Sequence, residues 1–418
     1  MTADGSSAGA PAPRPVFIGG RWVASRSSAV RRVEDPTTRT TLAAIAECGA
    51  GDLALACAAA RDAHAHWRRT RSGDRAAALA GVASAVRAAG EALAMTLTEE
   101  SGRPIRETRE ELAAGVRSLD AAAERIASSD ATPDPGTLDG VIAVAGGFDR
   151  PIGAFLELAG AAIADGGAVI CKPPVEAPLS SLALAAAFAP LPAGLVNVIT
   201  GDVATIEALA AGGGVDRLFF ADTTADAERL RRFATCALAP VAPLEVIACV
   251  VDDGADLERA AAGAVGVALR GAGQCETPRA RLYVHRRVAA AFADQLHLRV
   301  AFLEVGDPRK PDTDLGPLIS HGAMRRAEEQ VARALQARAR LKLGGRGFRP
   351  WGLAGHFFQP TILTDTPRGS TAALAGFRAP VLSLVPFEDA RDLAEELAQR
   401  PARVHRLGAE EPAVPVFR

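Results

Sequence analysis

The sequence predicts an α/β protein: a Rossmann-like, doubly wound parallel sheet followed by a second α/β domain. Three observations carry this. Through the centre of the chain, short apolar runs rich in β-branched residues alternate with Ala-rich helical segments, the pattern of parallel strands joined by helical crossovers. A second series of helix, strand and helix begins near Asp256. The 418 residues exceed what one hydrophobic core usually organises, and 49% hydrophobic against 23% charged residues excludes wholesale disorder.

Residues 1–15 are small, polar and Pro-rich and read as a disordered tail. Phe17–Val23 and Arg32–Ala46 read as short strands joined by turns. Gly51–Ala65, Asp74–Gly102 and Arg106–Ala127 carry apolar residues at helical spacing, and Pro- and Gly-rich 128–140 reads as a loop or bridging segment. Strands are expected at Val141–Ala145, Ala168–Cys171, Leu195–Thr200, Leu218–Phe220 and Glu245–Val251. The helices between them are Gly153–Ala164, Leu179–Phe188, Val203–Ala210 and Ala225–Leu238. This first domain is expected to span 16–255. The second, 256–399, is expected to hold helices at Leu257–Leu269, Val288–Ala301 and Gly322–Ala339. Its strands are placed at Arg281–Val284, around Leu341–Gly344 and Phe357–Leu363, and at Val381–Phe387. From Arg400 the chain reads as an irregular tail.

A net charge of −2 argues against nucleic acid as a partner, which would need a basic face. None of the six cysteines forms a CxxC or a Cys/His cluster, so neither a zinc site nor a disulfide framework is expected. The start lacks the basic and apolar regions of a signal peptide. Pro178, Pro190 and Pro192 break the uncharged stretch 177–201 into about one buried helix and one buried strand, rather than a membrane span. A cytoplasmic protein with no membrane partner is expected.

Five segments, in order, resemble the aldehyde dehydrogenase superfamily. They are FIGGRWV at 17–23, the Lys-Pro at 172–173, GLVNVITG at 194–201, GDPRKPDTDLGPLIS at 306–320 and APVLSLVPFED at 379–389. The resemblance implies a Rossmann-like cofactor domain, a catalytic α/β domain and a small bridging sheet. It also implies NAD(P) as cofactor, a small-molecule aldehyde substrate oxidised through a cysteine thiohemiacetal and thioester, and an oligomer.

The site residues depart from the family pattern. The family nucleophile lies in Gly-Gln-x-Cys, five residues before an Arg. Here Gly273-Gln274-Cys275-Glu276 puts Glu276 at that place, with Cys275 beside it. A thiolate adds readily to an aldehyde, whereas a carboxylate forms a poor, reversible adduct. Cys275 replaces the nucleophile only if the loop shifts by one residue; otherwise it is a small buried hydrophobe. The oxyanion-donating Asn of the family is matched by Asp149 in Phe148-Asp149-Arg150-Pro151. An ionised carboxylate cannot donate, and loss of one such donor costs on the order of 10²–10³ in rate. Asp149 also reads as a cap for a helix starting at Pro151. Glu245, in Leu244-Glu245-Val246, keeps the general-base place, and a strand-end glutamate is the alternative.

Lys172 matches the family lysine that binds the adenosine ribose. The turn whose backbone approaches the pyrophosphate is Phe220-Ala221-Asp222-Thr223, with Asp222 replacing a glycine. In Gly376-Phe377-Arg378-Ala379-Pro380, Gly376 replaces the Glu that holds the nicotinamide ribose and Arg378 replaces a Phe. The closing section of the family, with a substrate-pocket loop and last bridging strand, has no match after Asp389.

Three functions follow from these residues. One is NAD(P)-dependent aldehyde oxidation through Cys275. A second is acid–base chemistry without redox on Asp149, Glu245 and Glu276. A third is a non-catalytic role, with an active homologous subunit as partner. The losses at nucleophile, oxyanion and cofactor positions favour the last two.

Overall fold

The computed structural model describes residues 12–128, 137–221, 224–241, 246–275, 279–399 and 403–408. The chain forms two compact units. The first takes the segment ending at Asp35, Thr40–Glu100 and Arg109–Val241. The second takes Pro36–Arg39, Ser101–Thr108 and the chain from Ala242 onward.

The first unit opens with β1 (Val16–Ile18) and β2 (Arg21–Val23), an antiparallel hairpin turned at Gly19 and Gly20. Both glycines have positive φ, 62° and 76°, as a two-residue hairpin turn requires. β3 (Val30–Glu34) and β4 (Thr41–Ala46) make a separate two-stranded ribbon. Four helices follow: α1 (Ala50–Trp67), α2 (Ser72–Ala88), α3 (Gly90–Ser101) and α4 (Ile105–Ala127). Strands and helices then alternate as β5 (Val141–Ala145), α5 (Pro151–Asp165), β6 (Ala168–Cys171), α6 (Leu179–Leu184), β7 (Val196–Val198), α7 (Val203–Ala211), β8 (Arg217–Phe220), α8 (Thr224–Arg231) and β9 (Ala237–Pro240).

The sheet order is β2-β1-β7-β6-β5-β8-β9, parallel from β7 to β9. β5 and β6 are buried at every position, as strands covered on both faces must be. Succession runs from β5 outward to β7 and then jumps back to β8 on the other side of β5. The switch point therefore lies at the carboxyl ends of β5 and β8, where open α/β sheets bind ligands.

The second unit holds β10 (Val246–Val251), α9 (Leu257–Ala268), β11 (Arg279–His285), α10 (Ala289–Ala301), α11 (His321–Gln336), β12 (Arg340–Leu343), β13 (Thr361–Thr364), α12 (Thr371–Ala375), β14 (Val381–Phe387), α13 (Ala390–Ala398) and β15 (Arg403–Arg406). Its sheet order is β12-β13-β14-β11-β10-β15, with only β12 antiparallel. Ile247, Cys249 and Val251 on one face of β10 join Leu282 and Val284 of β11 in a core with α9 and α10.

The sequence-based limits are corrected at four places. β10 belongs to the second sheet, paired with β11 over six residues, so the first unit ends at Val241 rather than 255. Apolar alternation cannot tell which sheet receives a strand. The segment expected as an irregular tail contains β15, whose backbone pairs in parallel with β10. The helix expected over Asp74–Gly102 is two helices bent by 66° at Ala89, where Gly90 weakens continuation. The helix expected over Ala225–Leu238 stops at Arg231, and Ala237–Pro240 forms edge strand β9. Of the segment 128–140, expected as a loop or bridging segment, 129–136 lie outside the described residues. No single helix among the described residues is long and apolar enough to cross a membrane.

Candidate active site

In the first unit, the candidate residues follow the carboxyl ends of neighbouring strands. Lys172 succeeds β6, and its N–H donates to Val144 at 2.8 Å. It is 3% exposed. Burial pushes its ammonium down to about 8, against the pull of Glu176 and Asp202. Asp149 follows β5 at the switch point and is buried. It stands against Gly147, where a Cβ would come within 2.7 Å of Asp149 Oδ1. Asp222 and Thr223, which follow β8, lie outside the described residues.

The cap of α5 falls one residue after Asp149, at Arg150, which makes no side-chain cap hydrogen bond. Instead Glu111, reaching from α4, accepts the N–H groups of Ile152 at 3.1 Å and Gly153 at 2.8 Å. A carboxylate across the fold satisfies donors that the chain's own preceding residues do not. Glu100 at the end of α3 does the same for α6, accepting from Leu179 at 2.5 Å and Ser180 at 2.9 Å. Burial raises the Glu100 carboxyl to about 7, and the Ser180 and Leu179 donors only partly offset this.

In the second unit, the candidate segments enter the amino ends of adjacent strands. Glu245 precedes β10, the Gln274-Cys275-Glu276 turn precedes β11, and Gly376–Pro380 precede β14. Glu245 and Glu276 lie outside the described residues. Cys275 is half-buried, and its Sγ donates to the Arg270 carbonyl at 3.6 Å. With Arg270, Arg281, Phe377 and Ser383 it lines a cavity of about 40 Å³, which admits a carboxylate-sized group or about one water. Among the described residues, no acidic one lines that cavity. Arg281 donates to the Leu374 carbonyl. Arg378 is half-buried, and its N–H donates to Gln330 Oε1 at 3.3 Å.

The sequence reading missed Arg270, Gln274 and the buried acids Glu100, Glu107 and Glu111. The acids carried one faint signal: Glu107 and Glu111 stand four apart on α4, beside the apolar row Leu112, Val116 and Leu119. Three of the other cysteines are buried away from any nucleophilic role. Burial pushes the Cys48, Cys171 and Cys249 thiols well up. All six cysteines are free, and no His/Cys/Asp/Glu group among the described residues could hold a metal.

Residues 22–400 match the model of the aldehyde dehydrogenase family. The chain belongs to the aldehyde dehydrogenase family. It is 30% identical to the NADP+ succinate-semialdehyde dehydrogenase of Escherichia coli (strain K12), over 90% of this chain and 81% of that protein. It is also 30% identical to the 3-sulfolactaldehyde dehydrogenase of Pseudomonas putida, over 91% and 81%. Among solved structures, an E. coli NADP dependent enzyme superposes with a TM-score of 0.84 at 27% identity, covering 95% of this chain and 86% of that one.

In the first unit, the family's lysine place falls on Lys172, at the end of β6. In the second, the place of the family's ribose-binding Glu falls on Gly376, which has no side chain to accept a hydrogen bond and whose φ of 69° is one that favours glycine.

Proposed function

We propose that this aldehyde dehydrogenase family member binds small anionic aldehydes or their derivatives and does not oxidise them through a cysteine thioester. One observation carries the reading. The family's nucleophile place falls on Glu276, and the neighbouring thiol, Cys275, spends its S–H on the Arg270 carbonyl.

The substrate class rests on charge. Arg270 and Arg281 share a cavity that no acid among the described residues lines, an arrangement suited to a carboxylate or sulfonate. The relatives named above act on succinate semialdehyde and 3-sulfolactaldehyde, which both carry an anionic group. With Asp149 at the oxyanion place and Glu245 at the base place, the chemistry these residues support is proton transfer without redox. Where even that is absent, the protein acts by binding, with an active homologous subunit as partner, and co-purification tests this.

The deciding assay is NAD(P)+ reduction with succinate semialdehyde, using the unmodified protein, Cys275→Ala and Glu276→Cys. The first two are expected at background and Glu276→Cys above it. A second reading, oxidation through Cys275, has one observation in its favour: the thiol lines the same cavity as the two arginines. Turnover by the unmodified protein that Cys275→Ala abolishes would establish that reading instead.

A further inference from the structure

The turn that carries Cys275 is held in an uncommon backbone. Gly271, Ala272 and Gly273 have φ of 57°, 53° and 69°, three successive residues in the left-handed region. Ala272 is not a glycine, and such a residue stays there only when its surroundings dictate it. The surroundings are specific. The Gly271 N–H donates to both oxygens of Glu107, at 3.0 and 3.3 Å. Glu107 is completely buried, with Arg103, from the segment just before α4, at 3.6 Å. Gln274 donates from Nε2 to the Gly271 carbonyl at 3.2 Å and accepts the Ile319 N–H on Oε1 at 3.0 Å. Gly273 leaves no room for drift, because a Cβ there would stand 2.1 Å from the Ala379 carbonyl oxygen.

We infer that Glu107 and Gln274 are positioning residues that clamp the 271–275 turn and hold the Cys275 thiol on the Arg270 carbonyl, preventing the one-residue shift that would present Cys275 as a nucleophile. The inference rests on taking this turn as the family's nucleophile turn. Both anchors are buried, so each hydrogen bond is made without competition from water; losing Glu107 removes the acceptor of the Gly271 N–H, and losing Gln274 removes side-chain partners of the Gly271 carbonyl and the Ile319 N–H. Burial acts upward on the Glu107 carboxyl, while Arg103, Arg270 and the Gly271 N–H oppose it.

The test is alkylation of the intact protein by iodoacetamide, read peptide by peptide, which needs neither cofactor nor turnover. Cys57 and Cys236, also half-buried, serve as internal references. Glu107→Gln retains an acceptor for Gly271 and is expected to label Cys275 within about 3-fold of the unmodified rate. Glu107→Met removes the acceptor and is expected to raise the Cys275 rate by about 10-fold or more, with Cys57 and Cys236 unchanged. An unchanged Cys275 rate, or an equal rise at all three cysteines, overturns the clamp. Should Glu107→Met fail to fold, Gln274→Met is read in the same way, with the same rise expected and the same two results overturning it. Failure here leaves the Glu276→Cys assay untouched, so the clamp and the proposed function fail separately.

Discussion

Glu111 on α4 holds the Gly153 N–H at 2.8 Å, and the first turn of α5 begins on that bond. Both groups are buried, and the same carboxylate oxygen also takes the Ile152 N–H. Glu111→Ala leaves two donors without acceptors at the amino end of a buried helix. The expected loss is about 1–3 kcal/mol for each buried donor. Urea unfolding of Glu111→Ala and Glu111→Gln checks this: the Gln variant, which keeps an acceptor, should lose clearly less.

Glu100 makes stability depend on pH near neutrality. Its folded value, about 7, lies above the ordinary 4.5 because burial disfavours the charge. The folded protein thus binds the proton more tightly than the unfolded chain. The resulting stabilisation is full below about 4.5 and is lost as pH rises to about 7. The loss over that window is at most about 3 kcal/mol. Thermal melts from pH 5 to 8 should show the unmodified protein falling relative to Glu100→Gln. Parallel curves would show that Glu100 does not titrate in this range.

Lys172 acts in the opposite sense. Its folded value, about 8, lies below the ordinary 10.5, again through burial. The associated stabilisation is present above 10.5 and lost as pH falls to about 8, so at pH 7 the fold carries a buried charge at a cost of up to about 3 kcal/mol. Lys172→Met is therefore expected to be more stable than the unmodified protein at pH 7, the difference shrinking toward pH 10. If the variant is less stable at pH 7, the ammonium is held better than its burial implies.

Asp52 supports the start of α1 in the acid range. Burial acts upward on its carboxyl, but the Arg26 N–H at 3.0 Å, the Ser25 hydroxyl at 2.7 Å and the Gly49 N–H at 3.1 Å outweigh it and lower the pKa. The stabilisation is present above the ordinary value of 3.8 and is lost as pH falls through the lower folded value. Asp52→Asn should cost about 1–2 kcal/mol at pH 7, and the gap from the unmodified protein should narrow below pH 4. A constant gap from pH 7 to pH 3 would place the loss in packing rather than charge.

The alternation of apolar runs and helices made the sheet of the first unit legible, because β5 and β6 are buried on both faces and show it as unbroken Val, Ile and Ala. β10 shows the limit of that signal: its residues say strand, but only pairing with β11 says which sheet. β15 was hidden because Arg403–Arg406 alternates charge with Val and His on an exposed edge. At the site, counting along the motif placed an acid where the family has a sulfur. The same count could not reveal Arg270, which faces Cys275 only because the Gly271–Gly273 turn reverses the chain.

The order of residues along the chain determined the family, the alternating architecture and the chemical types of the residues in its motifs. Those are properties of type and spacing, and folding does not alter them. Only the tertiary structure decided which acids are buried, whose N–H groups they hold and where the Cys275 thiol donates. Burial and hydrogen bonding arise from contacts between residues far apart in the chain, such as Glu107 with Gly271, and no local pattern encodes them.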